Sequence, residues 1–227
     1  MHPWLYSLFT EHIDSDLPFY VTGAKTILEL GCGTGRVLIP CAQKGSQCVG
    51  IDQSKEALKT CQQAFEDIKL SVSLFEMDMT HFRLDHLFEQ IQIPLRSFQL
   101  LPPSNWALCL KNCHQHLTPT GELIVHLSPN LTKVPPQGWS AVGTRESTDG
   151  GWFLLEEAVH QAPKQTTLLH KATQISKTGA AVQTWLMRHQ LHHITEEEMT
   201  TALEEAGFRP PMVKAYGQDI IFTTRIK

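Results

Sequence analysis

Three glycines at alternate positions, Gly31, Gly33 and Gly35, separate the apolar run Ile27-Leu28-Glu29-Leu30 from a second run that opens at Val37. The pattern reads as a buried strand, a tight turn and the start of a helix. Glycines in such a turn let the backbone bend sharply and approach a ligand where a Cβ would collide. The helix that follows offers unpaired N–H groups beside a crevice at the strand end. The spacing is G-x-G-x-G, and a dinucleotide fingerprint would need its third glycine where this chain has Arg36. Glu29, two residues before the first glycine, opposes a pyrophosphate and favours an ammonium or a sulfonium. Asp52 ends the next apolar run, Cys48-Val49-Gly50-Ile51, and Asp78 closes a third extended segment. A carboxylate at the second position suits a ribose hydroxyl pair. One at the third can accept a hydrogen bond from an adenine amino group. Asp52 has a second reading, as the N-cap of a helix starting near Ser54.

Leu28-Glu29-Leu30-Gly31-Cys32-Gly33-Thr34-Gly35 resembles the first motif of the class I S-adenosylmethionine-dependent methyltransferases. Gly50-Ile51-Asp52-Gln53-Ser54 is similar to that family's second motif and Asp78-Met79 to its third. The stretch Phe88 to Leu101 looks like its fourth strand and substrate-facing loop, and Leu117-Thr118-Pro119-Thr120-Gly121-Glu122-Leu123 like the turn before its fifth. The resemblance implies S-adenosylmethionine as cofactor, S-adenosylhomocysteine as product and no metal. It assigns cofactor contacts to Glu29, to the loop residues Gly31, Cys32, Gly33, Gly35 and Arg36, to Asp52 with Gln53, to Asp78 with Met79, and to Pro94. The implied fold is α/β, a Rossmann-like three-layer sandwich. Its seven-stranded, mostly parallel sheet has an antiparallel last strand, and a β-rich insertion is added to it. Two other readings stay open: a non-catalytic binder of the same cofactor, and an NAD-dependent oxidoreductase, which Glu29 and Arg36 oppose.

The elements that must position these residues follow from periodicity. Strands are expected over Lys25–Leu30, Cys48–Ile51, Leu70–Phe75, Glu89–Pro94 and Leu123–Leu127. Helices are expected from Gly35 to Lys44, from Ser54 to Asp67, and from a Ser104 cap to Leu117. Gln90 and Gln92 are unusual in a central strand and need partners if buried. After Leu127 the period changes. Trp152–Glu157, Thr166–Ser176 and Gln183–Gln190 read as an antiparallel insertion over the strand ends. Thr195 with Glu198 makes a capping box for a helix ending at Ala206-Gly207, and Val213–Tyr216 and Ile220–Ile226 close the sheet. The expected organisation is an N-terminal helical lid (1–22), a cofactor-binding core (23–130), a β insertion that caps the substrate (131–191), and a helix and strands that complete the core (192–227). The insertion resembles that of small-molecule N-methyltransferases, including amino-sugar and glycine/sarcosine types.

The 227 residues suffice for one sizeable α/β domain with an insertion. A formal charge of −4, with no Lys/Arg cluster above two residues, argues against a polyanionic nucleic acid partner. No apolar run reaches the length of a membrane span, and Glu11, Asp14 and Asp16 do not suit a secretory signal. The six scattered cysteines read as reduced thiols of a cytoplasmic protein. Cys109 and Cys113, with His114 and His116 nearby, read as core residues rather than a zinc site. The implied partner is a small-molecule methyl acceptor, N-methylation being favoured slightly over O-methylation. Exposed insertion strands allow two copies to pair as a homodimer.

On the acceptor side, Arg96 follows the fourth strand, where its guanidinium could clamp a carboxylate or phosphate. Ser97 and Phe98 follow it, and Tyr6 is a candidate lid residue. His126, near the end of the fifth strand, is the candidate general base. Both Arg96 and His126 have structural alternatives, as a surface or supporting arginine and as a satisfied core histidine.

Overall fold

The computed structural model describes residues 3–10, 13–129 and 137–227. Its main sheet follows the chain in the order β1 (Thr26–Leu30), β2 (Gln47–Asp52), β3 (Ser73–Glu76), β4 (Phe88–Ile93), β5 (Leu117–Leu127), β10 (Met212–Tyr216) and β11 (Asp219–Arg225). The spatial order is β10-β11-β5-β4-β1-β2-β3. β1 to β5 are parallel, and β11 runs antiparallel to both β5 and β10. β1 lies between β2 and β4, so the connections leaving β1 and β4 diverge to opposite faces and open a crevice at the strand ends.

Two apolar clusters flank this sheet. One includes Ile91, Val125, Leu203 and Phe208, and packs α4 (Pro103–His116) and α5 (Glu196–Glu205) onto one face. The other includes Ile27, Leu38, Cys61 and Phe65, and holds α2 (Leu38–Gln43) and α3 (Lys55–Asp67) on the opposite face. Local sequence explains the helix starts. The Ser54 side chain accepts from Ala57 N at 3.2 Å, so Ser54, not Asp52, caps α3. Thr195 and Glu198 form a reciprocal capping box for α5. At α4 the expected Ser104 cap is replaced by Pro102, because Pro103 at the first helical position already has the required φ and leaves no orphan N–H there. Pro40 falls in the first turn of α2, where its missing donor removes no helical bond.

A second, four-stranded antiparallel sheet consists of β6 (Gln137–Glu146), β7 (Trp152–Ala162), β8 (Gln165–Ile175) and β9 (Ala181–His192). It has one strand more than periodicity indicated. β6 contains Gly138 and Gly143 and is bulged against β7, which breaks its alternation. The expected first residue of the insertion lies outside the described residues. α1 (Pro3–Thr10) docks on this sheet and also lies beside α3 of the core: Trp4 meets Trp185 edge-on at 5.0 Å, and Leu5 is buried with Leu155, Ala172 and Met187.

The glutamines of β4 find partners. Thr22 Oγ1 donates to Gln90 Oε1 at 2.5 Å, Gln90 Nε2 to Gln92 Oε1 at 2.6 Å, and Gln92 Nε2 to Glu29 Oε2 at 2.6 Å. The second Gln90 amide proton goes to Tyr20 O at 2.7 Å. A polar file therefore runs beneath the glycine turn inside an otherwise apolar sheet. Each buried amide is satisfied, as low-dielectric surroundings require.

Candidate active site

The turn after β1 is fixed by backbone and packing together. Gly31 N and Cys32 N both donate to Ile51 O, at 2.8 and 3.1 Å. Gly35 has φ +93°, and a Cβ there would lie 2.7 Å from Cys61 Sγ, so no other residue fits. Gly33, at φ +54°, has nothing within 4 Å of the position its Cβ would occupy, which leaves the backbone open to a ligand. Its N–H donates to Asp52 Oδ2 at 2.9 Å, while Ser54 N donates to Asp52 Oδ1 at 2.8 Å. Each carboxylate oxygen is thus anchored once and keeps acceptor capacity for a pair of hydroxyls. Asp78 Oδ1 accepts from both Thr80 N and Thr80 Oγ1 at 2.7 Å. Burial would raise Asp78, but these two bonds outweigh it and hold its carboxyl below the ordinary range.

These groups line a cavity of about 1370 Å³ between the strand ends, the N-terminal segment and the inner face of the insertion sheet. Gly31, Gly33, Asp52 and Gln53 form part of its wall, with Asp78 and Met79 beside them. An acidic second-strand tip bound to the glycine turn, beside a third acidic tip, places two carboxylates at the strand ends in the cavity wall. Residues 27–121 match the family model described as a methyltransferase domain. Over those residues the chain resembles the S-adenosylmethionine-dependent methyltransferases. The protein YqeM of Bacillus subtilis (strain 168) is 26% identical over 214 residues, covering 92% of this chain and 82% of its own. In fold, the chain is similar to Streptomyces venezuelae DesVI, with a TM-score of 0.84 at 17% identity over 100% of this chain and 99% of that one. It is similar also to the sugar N-methyltransferase KedS8 from Streptoalloteichus sp ATCC 53650, with a TM-score of 0.82 at 16% identity over 98% and 92% of the two chains.

Several residues expected in the site lie behind the cavity wall. Glu29 is 2% exposed and bonded to Gln92. Burial pushes its carboxyl up to about 8, against the opposing pull of Gln92 and Arg36. Cys32 is buried beside Cys61, and Pro94 is buried at the end of β4. Arg36 turns away from the cavity and forks onto Asp16, with both nitrogens 2.7 Å from the carboxylate oxygens. This pair ties the segment after α1 to the glycine loop, an ionic geometry that guanidinium favours.

The loop after β4 separates its candidates. Leu95 and Arg96 adopt φ of +46° and +64° in a turn closed by Ser97 N donating to Pro94 O at 3.0 Å. Side chains rarely take this conformation, and its cost is of order 1–3 kcal/mol per residue. The turn leaves Arg96 and Ser97 in the cavity wall and buries Phe98, which stacks on Trp106 at 6.1 Å. Tyr6 lines the cavity and packs against His189 at 5.2 Å. His126 is fully buried, with Nδ1 3.2 Å from Tyr20 OH and Nε2 2.9 Å from Asp219 Oδ2. A general base must reach the acceptor, and His126 does not line the cavity; Asp219 does.

Cavity residues that the sequence did not single out come from distant segments. Ser128 follows β5, Tyr216 and Asp219 flank the β10–β11 turn, and Glu157 and His170 face each other across β7 and β8. His170 Nε2 lies 3.5 Å from Glu157 Oε2, and this interaction, against burial, keeps Glu157 below the usual carboxylate range. Burial pushes His189 down to about 4, so its imidazole is neutral at pH 7. A carboxylate and an imidazole at matching positions of alternating strands were visible signals. The register that pairs them was not.

Proposed function

We propose that the protein transfers a methyl group from S-adenosylmethionine to a small-molecule acceptor, with nitrogen favoured over oxygen. The observation that carries this reading is one continuous cavity that joins the glycine turn and the acidic strand tips to the inner face of the insertion sheet. Its volume of about 1370 Å³ exceeds the ~300–1,000 Å³ typical of a pocket for one small ligand, so a second molecule has room beside the first. S-adenosylmethionine bound there supplies an electrophilic methyl group: the acceptor's lone pair becomes the new bond to carbon, and the carbon–sulfur pair leaves with sulfur in S-adenosylhomocysteine.

In this reading Gly31 and Gly33 give the close backbone approach, with Asp52 and Gln53 on the sugar and Asp78 and Met79 at the base. Glu29, Cys32, Gly35, Arg36 and Pro94 act from beneath by fixing the shape of the turn. Arg96 and Ser97 meet the acceptor, the guanidinium serving a carboxylate or phosphate on it. Among the described residues the Arg96 guanidinium makes no hydrogen bond or ion pair within the chain, which leaves its donors for a ligand. Tyr6, held between α1 and the insertion sheet, closes the wall, and water exclusion with alignment supplies most of the rate. The KedS8 comparison supports a small-molecule acceptor and nitrogen. The reading needs no metal and includes a reduced, cytoplasmic setting, in keeping with six free, buried cysteines. It includes a homodimer through the insertion strands. Among the described residues no helix is long and apolar enough to cross a membrane.

Incubation with methyl-labelled S-adenosylmethionine and matched panels of small amines and hydroxyl compounds tests the proposal. Label should appear in amines ahead of their hydroxyl counterparts. Cofactor binding with no transfer to any acceptor would leave a binder in place of an enzyme. Asp52→Ala should weaken S-adenosylhomocysteine binding by about 1–3 kcal/mol, since two hydroxyls lose their acceptor. Unchanged calorimetric affinity in a folded variant would remove Asp52 from the site.

A further inference from the structure

We propose that Asp219 is the carboxylate that receives the acceptor's amino group, and that His126 is the positioning residue that holds it. The inference rests on the N-methyltransferase reading above.

Asp219 is the first residue of β11 and follows a turn in which Gly217 has φ +59°. It lines the cavity, with its side chain 16% exposed. His126, on the neighbouring strand β5, is 0% exposed and sits with Nε2 2.9 Å from Asp219 Oδ2. The other imidazole nitrogen faces Tyr20 OH at 3.2 Å and Asp16 Oδ2 at 4.0 Å, and Asp16 is itself gripped by Arg36. The carboxylate is thus braced through three elements: the N-terminal segment, the glycine loop and β5. His126 Nε2 and the Ser128 side chain take two of the carboxylate's acceptor sites, and its remaining lone pairs are available to a ligand.

Among the described residues, His126, Ser128 and Arg96 act on Asp219. Burial alone would raise its carboxyl, but hydrogen bonds from His126 and Ser128 and the charge of Arg96 outweigh it. Asp219 therefore stays ionised and is a poor proton sink. What it offers instead is a fixed negative charge. An amine nitrogen gains positive charge as its lone pair becomes the new N–C bond, and a preorganised carboxylate stabilises that charge without moving. A hydroxyl acceptor, which must lose a proton, gains nothing comparable. This arrangement accounts for the burial of His126: it does not meet the acceptor but sets the direction of the residue that does.

The test uses glucosamine and glucose as an amine–hydroxyl pair of matched shape, titrated calorimetrically into protein saturated with S-adenosylhomocysteine. Glucosamine should bind about tenfold more tightly than glucose. The preference should fade as rising pH takes the probe from ammonium to free amine. Asp219→Asn should reduce it to within about twofold while S-adenosylhomocysteine affinity and the unfolding midpoint stay near wild type, and His126→Gln should give an intermediate loss. Equal binding of the two sugars, failure of both to bind, or a preference that survives in Asp219→Asn would overturn the proposal. Failure to saturate with S-adenosylhomocysteine in the first titration would instead overturn the methyltransferase reading.

Discussion

Arg36→Ala should destabilise the protein by about 3–5 kcal/mol, the cost of leaving a buried charge without its partner. Asp16 is 0% exposed, and its charge is met by the two guanidinium nitrogens at 2.7 Å. Arg36 also donates to Ile13 O, so the same side chain satisfies a backbone carbonyl in the segment that ties α1 to the core. Removing it strands the buried carboxylate beside Tyr20 and His126. Asp16→Asn in the Arg36→Ala background should recover part of the loss, because a neutral amide is far cheaper to bury. Urea unfolding of the two single variants and the double variant measures this directly. A loss below about 1 kcal/mol in Arg36→Ala would mean that the pair behaves as a surface salt bridge.

Glu29→Gln should remove a pH dependence from the ligand-free protein. Burial raises the Glu29 carboxyl from 4.5 to about 8, with Asp16 and Asp52 adding to the rise and Gln92 and Arg36 opposing it. Between those limits the folded chain holds a proton that the unfolded chain has released, so stability falls as pH rises. The contribution is fully present below about 4.5 and is lost through about 8. The total is on the order of 3–5 kcal/mol. Glutamine keeps an acceptor for Gln92 Nε2 without the ionisation. The difference in stability between variant and wild type should therefore grow in the variant's favour from pH 5 to pH 8.5. Parallel stability curves for the two proteins would show that Glu29 is already ionised in the free enzyme.

Both expectations concern residues whose types were legible and whose surroundings were not. Glu29 and Arg36 stood out because they flank three glycines at fixed spacing, and local sequence is enough to define a strand, a turn and a helix start. The strand and helix starts, the α5 capping box and the existence of an antiparallel insertion were legible for the same reason: each rests on periodicity or on contacts within a few residues. The parallel sheet and its crevice were implied by the family resemblance. The fate of each side chain was less legible. Glu29, read as a ligand contact, lies one layer beneath the turn, at the end of a hydrogen-bonded file that begins at Thr22. Arg36, read as a cofactor contact, binds Asp16. His126, read as a base, stands behind Asp219.

The glycine turn and the acidic strand tips could be read from the chain alone, because backbone conformation and strand periodicity are short-range properties, and the motif residues there carry the family resemblance. Tertiary structure alone decided which polar groups reach the cavity. Asp219 and His126 are 93 residues apart and meet only because β11 pairs antiparallel with β5, in a register that places Ile221 opposite His126. Glu157 and His170 likewise face one another only once β7 and β8 are aligned. A shift of one residue in either pairing would turn those side chains to the opposite face. Register is set by the packing of whole faces, and no local pattern in the chain contains it.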